Sequence, residues 1–278
     1  MSHESLCRPP VVILCGGRGT RLRERTAEIP KPLVEIGGRP IVWHVIELYA
    51  AQGFKRFVLA TGYKGELIAE FVAAESWPEG VGVECVDTGL DTPTGGRIKL
   101  LEPLLRREAS VGSEGKDFGG APLRGGGEGL RELSFCATYA DGLADIDLAQ
   151  VLRFHEDHGA LATMTVVRPE LQFGVAELDG PDGRVLGFRE KPRSEHWING
   201  GFLCLRLGAL DYLQPDSVLE REPLRRLAAD GQLRAYRHEG FWECMDTYKD
   251  AVALNDLWAS GAAPWRAGVR LAAQNPFP

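Results

Sequence analysis

The apolar positions of this chain fall into short blocks separated by polar turns. Over the first 160 residues, brief apolar runs alternate with longer segments whose apolar side chains recur at helical spacing. Strands are predicted over 11–15, 57–61, 82–87 and 133–138, and helices over 40–52, 64–74, 98–107 and 147–159. The segment 40–52 carries Ile41, Val42, Val45, Ile46, Leu48 and Tyr49 on one wide face. Gly53 follows it, where a terminal glycine is favoured. The segment 147–159 places Leu148, Val151, Leu152 and His155 on one side. Short apolar runs flanked by helices imply a largely parallel sheet covered on both faces. After residue 160 the rhythm changes. Strands over 161–167, 173–178, 185–188 and 202–207 follow with few helices between them, and Pro181-Asp182-Gly183 marks a turn. This half reads as a smaller, more antiparallel extension of the same sheet, closed by a helix over 247–260.

Composition narrows the class. The chain has 278 residues, 44% hydrophobic and 26% charged, enough for one large α/β domain with a sizeable core. We divide it at the change of rhythm into halves 11–160 and 161–266. The formal net charge of −7 disfavours nucleic acid as a partner, so an anionic ligand needs a local basic site. The six cysteines form no CxxC pair, and most sit in apolar runs, which predicts buried thiols in a reducing compartment. Residues 1–10 are polar and no long apolar stretch occurs, so the expectation is a soluble, cytoplasmic protein without a membrane partner. Residues 109–130, with Gly125-Gly126-Gly127-Glu128-Gly129, are nearly free of core residues and read as a flexible insertion.

Chemistry concentrates where the first strand ends. Leu14-Cys15-Gly16-Gly17-Arg18-Gly19-Thr20-Arg21 runs from an apolar strand into glycines, and Lys31 returns between Pro30 and Pro32. Backbone N–H groups of such a loop can close on phosphates, although glycines there also suit a plain tight turn. The spacing is neither GxGxxG nor GxxxxGK[ST]. Asp141 follows an apolar strand and should lie at the carboxyl edge of the sheet, where ligands bind in open α/β folds. Its alternative is a turn or cap aspartate, with Asp145 and Asp147 as competitors. Asp246 precedes the closing helix and can equally be its cap. Glu190-Lys191 can be alternating strand charges. His155 and His158 read as a packed histidine and a partner for the helix terminus rather than as metal ligands.

The run GGRGTRL…PKPLVEIGGRPI resembles the nucleotide-binding signature of the sugar-1-phosphate nucleotidyltransferases. Val86-Asp87-Thr88-Gly89, Thr94-Gly95-Gly96-Arg97, Tyr139-Ala140-Asp141-Gly142, Glu190-Lys191-Pro192 and Phe241-Trp242…Met245-Asp246-Thr247 are similar to the glucose-1-phosphate cytidylyltransferase branch. The resemblance implies a Rossmann-like three-layer α/β/α fold, its mixed, mostly parallel sheet joined by a smaller antiparallel sugar-binding part. It implies transfer of a nucleotidyl group from CTP to glucose 1-phosphate, Mg²⁺ as cofactor, and a homo-oligomer, a hexamer among the sizes to expect. It assigns Leu14, Gly16, Gly17, Gly19, Thr20, Arg21, Lys31, Arg97 and Tyr139 to the nucleotide. Arg21, Lys31 and Asp141 become catalytic, and Asp141 with Asp246 the metal ligands. Gly174, Glu190, Lys191 and Asn199 fall to the sugar phosphate. The family more often has glycine where Ala140 stands, so an extra methyl lies beside the ribose site. Rival readings keep the reaction with another nucleotide (dTTP, UTP or GTP) or another sugar 1-phosphate, or make the chain a non-catalytic binding subunit.

Overall fold

In the computed structural model the described residues are 8–19, 29–107 and 133–266. The expectations on Thr20, Arg21 and the insertion 109–130 lie outside them.

The elements, in chain order, are β1 (Val11–Leu14), β2 (Glu35–Ile36), β3 (Arg39–Pro40), α1 (Ile41–Ala50), β4 (Arg56–Thr61), α2 (Gly65–Ala74), β5 (Gly82–Asp87) and α3 (Thr94–Leu100). After residue 132 come β6 (Ser134–Tyr139), β7 (Gly142–Ala144), α4 (Leu148–His158), β8 (Ala162–Val167), β9 (Val175–Asp179), β10 (Arg184–Arg189) and β11 (Ile198–Arg206). The chain then forms α5 (Glu222–Ala229), β12 (Leu233–Arg237), β13 (Trp242–Cys244) and α6 (Tyr248–Ala259). Seven strands make the central sheet, in the order β12-β8-β11-β6-β1-β4-β5. Every pairing in it is parallel except those of β11, which runs antiparallel to both β6 and β8. The mixed, mostly parallel sheet is therefore the predicted one. Val11, Ile13, Phe57 and Leu59 pack on one face, and Val12, Leu14, Val58 and Ala60 on the other, so each strand is apolar on both sides.

Two expectations need correction. The strands predicted over 173–178 and 185–188 do not extend the sheet: β9 and β10 pair only with each other, in a hairpin that exposes Leu178, Val185, Leu186 and Phe188. Their alternation resembles a half-buried strand, and nothing in the pattern distinguishes a face awaiting a neighbour from one already covered. His158 is no cationic partner of the α4 terminus either. Its Nδ1 accepts from Ala160 N at 2.9 Å, and burial lowers its pKa.

That contact fixes the His158 tautomer: its Nε2–H donates to Thr163 Oγ1 (2.7 Å), and the same hydroxyl lies 2.9 Å from His155 Nδ1, whose Nε2 is 3.2 Å from Ser134 Oγ. His155 is fully buried and neutral. His44, on α1, is likewise buried. Its Nε2–H donates to Ile36 O at 2.7 Å and its Nδ1 accepts from Trp265 Nε1 at 3.4 Å. Trp43, Trp258 and Trp265 meet the imidazole edge-on, docking the C-terminal segment against α1.

Desolvation drops His44 to about 4 and His155 to about 3, from 6.5. Both fold neutral, so the unfolded chain binds the extra protons. Stability is then fully present above pH 6.5 and declines as pH falls toward 4 for His44 and 3 for His155. The stability lost grows to roughly 3 kcal/mol for His44 and roughly 5 kcal/mol for His155 at the foot of each window. Urea unfolding midpoints should fall from pH 7 to pH 5, with shallower slopes in His44→Gln and His155→Gln; an unchanged slope in both rejects neutral burial as the cause.

Candidate active site

The sheet order puts β4 and β5 on one side of β1 and β6 on the other, so the chain reverses its direction of winding between β1 and β6. Such a switch point leaves a crevice at the carboxyl ends of the strands. Register pairs Leu14 with Tyr139, so Cys15-Gly16 and Ala140-Asp141 leave the sheet side by side. A cleft of about 470 Å³ opens there, lined by Leu14, Gly16, Gly17, Gly19, Lys31, Arg97, Tyr139, Asp141 and Asp246. A second cavity of about 230 Å³ shares Tyr139, Asp141 and Asp246 and adds Asn199, Gly200 and Trp242.

Lys31 lines the larger cleft and reaches two carboxylates that line both cavities. It opens a 3₁₀ turn, Lys31–Leu33, whose two flanking prolines fix the backbone. Its Nζ donates to Asp141 Oδ2 at 2.5 Å and to Asp246 Oδ1 at 2.7 Å. Strand pairing accounts for the convergence. Gly142 of β7 lies opposite Cys244 of β13, and Met245 N donates to Asp141 O at 2.9 Å, so the residues flanking those partners meet. Burial alone would lower the Lys31 pKa. The charge of Asp141, its hydrogen bond and the same two effects from Asp246 outweigh that, and the net shift is upward.

The alternative roles for these aspartates go to neighbours. Thr247, not Asp246, caps α6: its hydroxyl accepts from Asp250 N while Asp250 accepts from Thr247 N. Asp147 caps α4 by accepting from Gln150 N, and Asp145 pairs with His238 at 3.0 Å.

Arg97 lies beneath the glycine loop, 4% exposed. Its guanidinium donates to the carbonyls of Gly16, Thr61, Gly89 and Leu90 and to Thr88 Oγ1. A Cβ on Gly16 would sit 2.0 Å from the guanidinium carbon, so that glycine is required by packing as well as by any ligand. Tyr139 donates its hydroxyl to Glu220 and accepts from Asn199 Nδ2 at 3.3 Å.

The remaining sugar-side expectations form a separate group. Glu190 and Lys191 follow β10, and a Cβ on Gly174 would lie 2.8 Å from Glu190 Oε2, so Gly174 and Glu190 face each other. Lys191 holds a left-handed φ of 44°. None of the three lines either cavity. Sequence reasoning gave no role to Glu220, Thr94 or Arg18. Arg18 pairs with Asp91 at 3.1 Å on the cleft rim, and a charged surface residue carries no pattern that would single it out.

The donor set suits a hard divalent cation. Two carboxylates converge from separate loops, and among the described residues no group of three or more His, Cys, Asp or Glu gathers as a closed metal site. Two carboxylates leave coordination positions for phosphate oxygens and water, as Mg²⁺ prefers. No helix among the described residues is long and apolar enough to cross a membrane.

Comparison with known proteins identifies the family. Over 276 residues the chain is 38% identical to the probable glucose-1-phosphate cytidylyltransferase of Bacillus subtilis (strain 168), covering 92% of this chain and 98% of that one. Over 281 residues it is 37% identical to the glucose-1-phosphate cytidylyltransferase of Salmonella typhi, with the same coverage. Its fold matches that of HddC from Yersinia pseudotuberculosis complexed with GMP-PN, with a TM-score of 0.63 over 90% of this chain and 99% of that one. At 21% identity this is a likeness of fold. The nucleotidyl transferase model matches residues 10–243, and on that span the chain belongs to the nucleotidyl transferase family.

Proposed function

We propose that this protein transfers the cytidylyl group of CTP to glucose 1-phosphate, yielding CDP-glucose and pyrophosphate, with Mg²⁺ as its metal and the cytoplasm as its compartment. The observation that carries the reading is the Lys31 ammonium set between Asp141 and Asp246 where the two cavities meet. The curated relatives of matching length bear the name of this activity.

An oxygen of the sugar phosphate attacks the α-phosphorus in line. The new O–P bond forms as the bond to the β-phosphate oxygen breaks, and its electron pair leaves with pyrophosphate. Both substrates are polyanions, so the obstacle is repulsion, and catalysis consists of positioning and charge neutralisation. The Gly16, Gly17 and Gly19 loop, continuing into Thr20 and Arg21, receives the triphosphate. Lys31 neutralises the α-phosphoryl group as charge develops, and its two carboxylate partners keep it protonated. Asp141 and Asp246 hold the metal, which when bound screens the phosphate oxygens. Asn199 faces the hexose from the second cavity; on the β9–β10 side, outside both cavities, Lys191 is assigned to the sugar phosphate, Glu190 to sugar hydroxyls and Gly174 to backbone access. The apolar side chains exposed on that hairpin support the reading of a homo-oligomer.

Pyrophosphate release with Mg²⁺ and glucose 1-phosphate should be at least tenfold faster with CTP than with UTP, dTTP, ATP or GTP. Preference for another nucleotide rejects the base, and silence with all five rejects the reaction. Lys31→Ala should lower kcat by roughly 10²–10³, the usual loss on removing one preorganised charge stabiliser. A rate within threefold of the parent removes Lys31 from the chemistry.

A further inference from the structure

We infer that Glu220 is a positioning residue that sets the wall between the nucleotide and sugar pockets by gripping Tyr139 and Thr94 with its two carboxylate oxygens. The inference rests on the reading of the two cavities as nucleotide and sugar sites.

Tyr139 ends β6 and lines both cavities. Its ring fills the space above Gly201, where a Cβ would lie 2.7 Å from it. The ring thus stands, with Asp141 and Asp246, on the boundary of the two cavities, and its hydroxyl is the part of the side chain that polar contacts can fix. One oxygen of Glu220 accepts from that hydroxyl. The other accepts from Thr94 Oγ1 at 2.7 Å, and Thr94 lines the nucleotide cleft at the start of α3.

The direction of every bond in this network is determined. An ionised carboxylate only accepts, so both hydroxyls must donate to Glu220. Thr94 Oγ1 then accepts from Leu219 N at 2.9 Å, and Tyr139 Oη accepts from Asn199 Nδ2 at 3.3 Å. Asn199 cannot flip without loss, because its Oδ1 already accepts from Gly201 N at 2.9 Å. The result is one line of contacts, from Thr94 in the nucleotide cleft through Glu220 and Tyr139 to Asn199 in the sugar cavity. Glu220 itself lines neither cavity, so it acts through these neighbours. Removing it frees the phenol to turn and releases Asn199 from its partner.

The test is a cycle of parent, Glu220→Ala, Tyr139→Phe and the double variant, assayed with Mg²⁺, glucose 1-phosphate and whichever nucleotide the parent uses. Glu220→Ala should lower kcat/KM for glucose 1-phosphate about tenfold, mainly through KM. The same change should cost less than twofold in the Tyr139→Phe background, where the gripped hydroxyl is already gone. Glu220→Gln, which retains one acceptor oxygen, should recover part of the loss. Equal losses in both backgrounds, or no loss in an active parent, overturn the inference and leave the assigned reaction standing. Urea midpoints of the four proteins read the same contact without turnover. They should be non-additive, and additive midpoints overturn the inference even if the parent uses other substrates.

Discussion

Three stretches of chain meet at one ammonium group. Lys31 lies 110 residues from Asp141 and 215 from Asp246, yet it bonds to both. Its side chain is 14% exposed and those of its partners 26% and 35%, between the fully solvated and fully buried limits. Solvated pairs contribute about 0–1 kcal/mol, whereas breaking a buried one costs about 3–5 kcal/mol. Stability alone would be an extravagant reason to assemble such a group from three distant loops. Under the proposed function its value lies in fixing two carboxylates and a cation at one point before any ligand arrives, so that little reorganisation accompanies the reaction.

Arg97 supports the neighbouring loop by a different route. The carbonyl and N–H of one peptide unit point in opposite directions because the peptide is planar and trans. The Gly16 carbonyl is drawn to Arg97, so the Gly17 N–H is turned away from the guanidinium, in a residue that lines the cleft. A buried cation without a direct carboxylate contact thus orients the backbone that is to face phosphate. The helix reaches this position because Gly95 and Gly96 lie against the backbone of Ser217 and Pro215, where a Cβ would fall 2.8 and 2.0 Å from their carbonyl oxygens.

Much of this was legible in the chain, for physical reasons that also explain the gaps. Runs such as 11–15 and 57–60 are apolar at every position, as suits a strand covered on both faces, so the parallel half could be read directly. Asp141 was legible because it follows such a run and must emerge at the carboxyl edge. From the residue pattern alone Asp246 was legible as a carboxylate but not as a ligand rather than a helix cap, and only the resemblance chose between them; the Thr247–Asp250 capping box that takes the cap role is one residue away. Glu220 was not legible, and Thr94 was read only as part of the Thr94-Gly95-Gly96-Arg97 run, with no role of its own. Their contact spans 126 residues, and a single hydrogen bond between surface side chains leaves no periodic trace. Arg97 was read as meeting substrate, and its five bonds to protein groups appear only once the three strand-end loops are in place.

Why two cavities, and why these three residues between them? A nucleotide triphosphate and a sugar phosphate repel, yet the attacking oxygen and the α-phosphorus must come within about 3–3.5 Å in line. Separate pockets hold the distant parts of each substrate apart, and contact is then required only where the pockets join. Tyr139, Asp141 and Asp246 line both. In the proposed reaction the Tyr139 ring bounds the approach, and the paired carboxylates with Lys31 place charge of both signs where the cavities meet. In a chain of net charge −7, attraction of anions cannot come from the protein as a whole. Lys31 between two carboxylates leaves the junction itself anionic, so in the proposed reaction neutralisation of the substrates there falls to Lys31 together with a bound divalent cation.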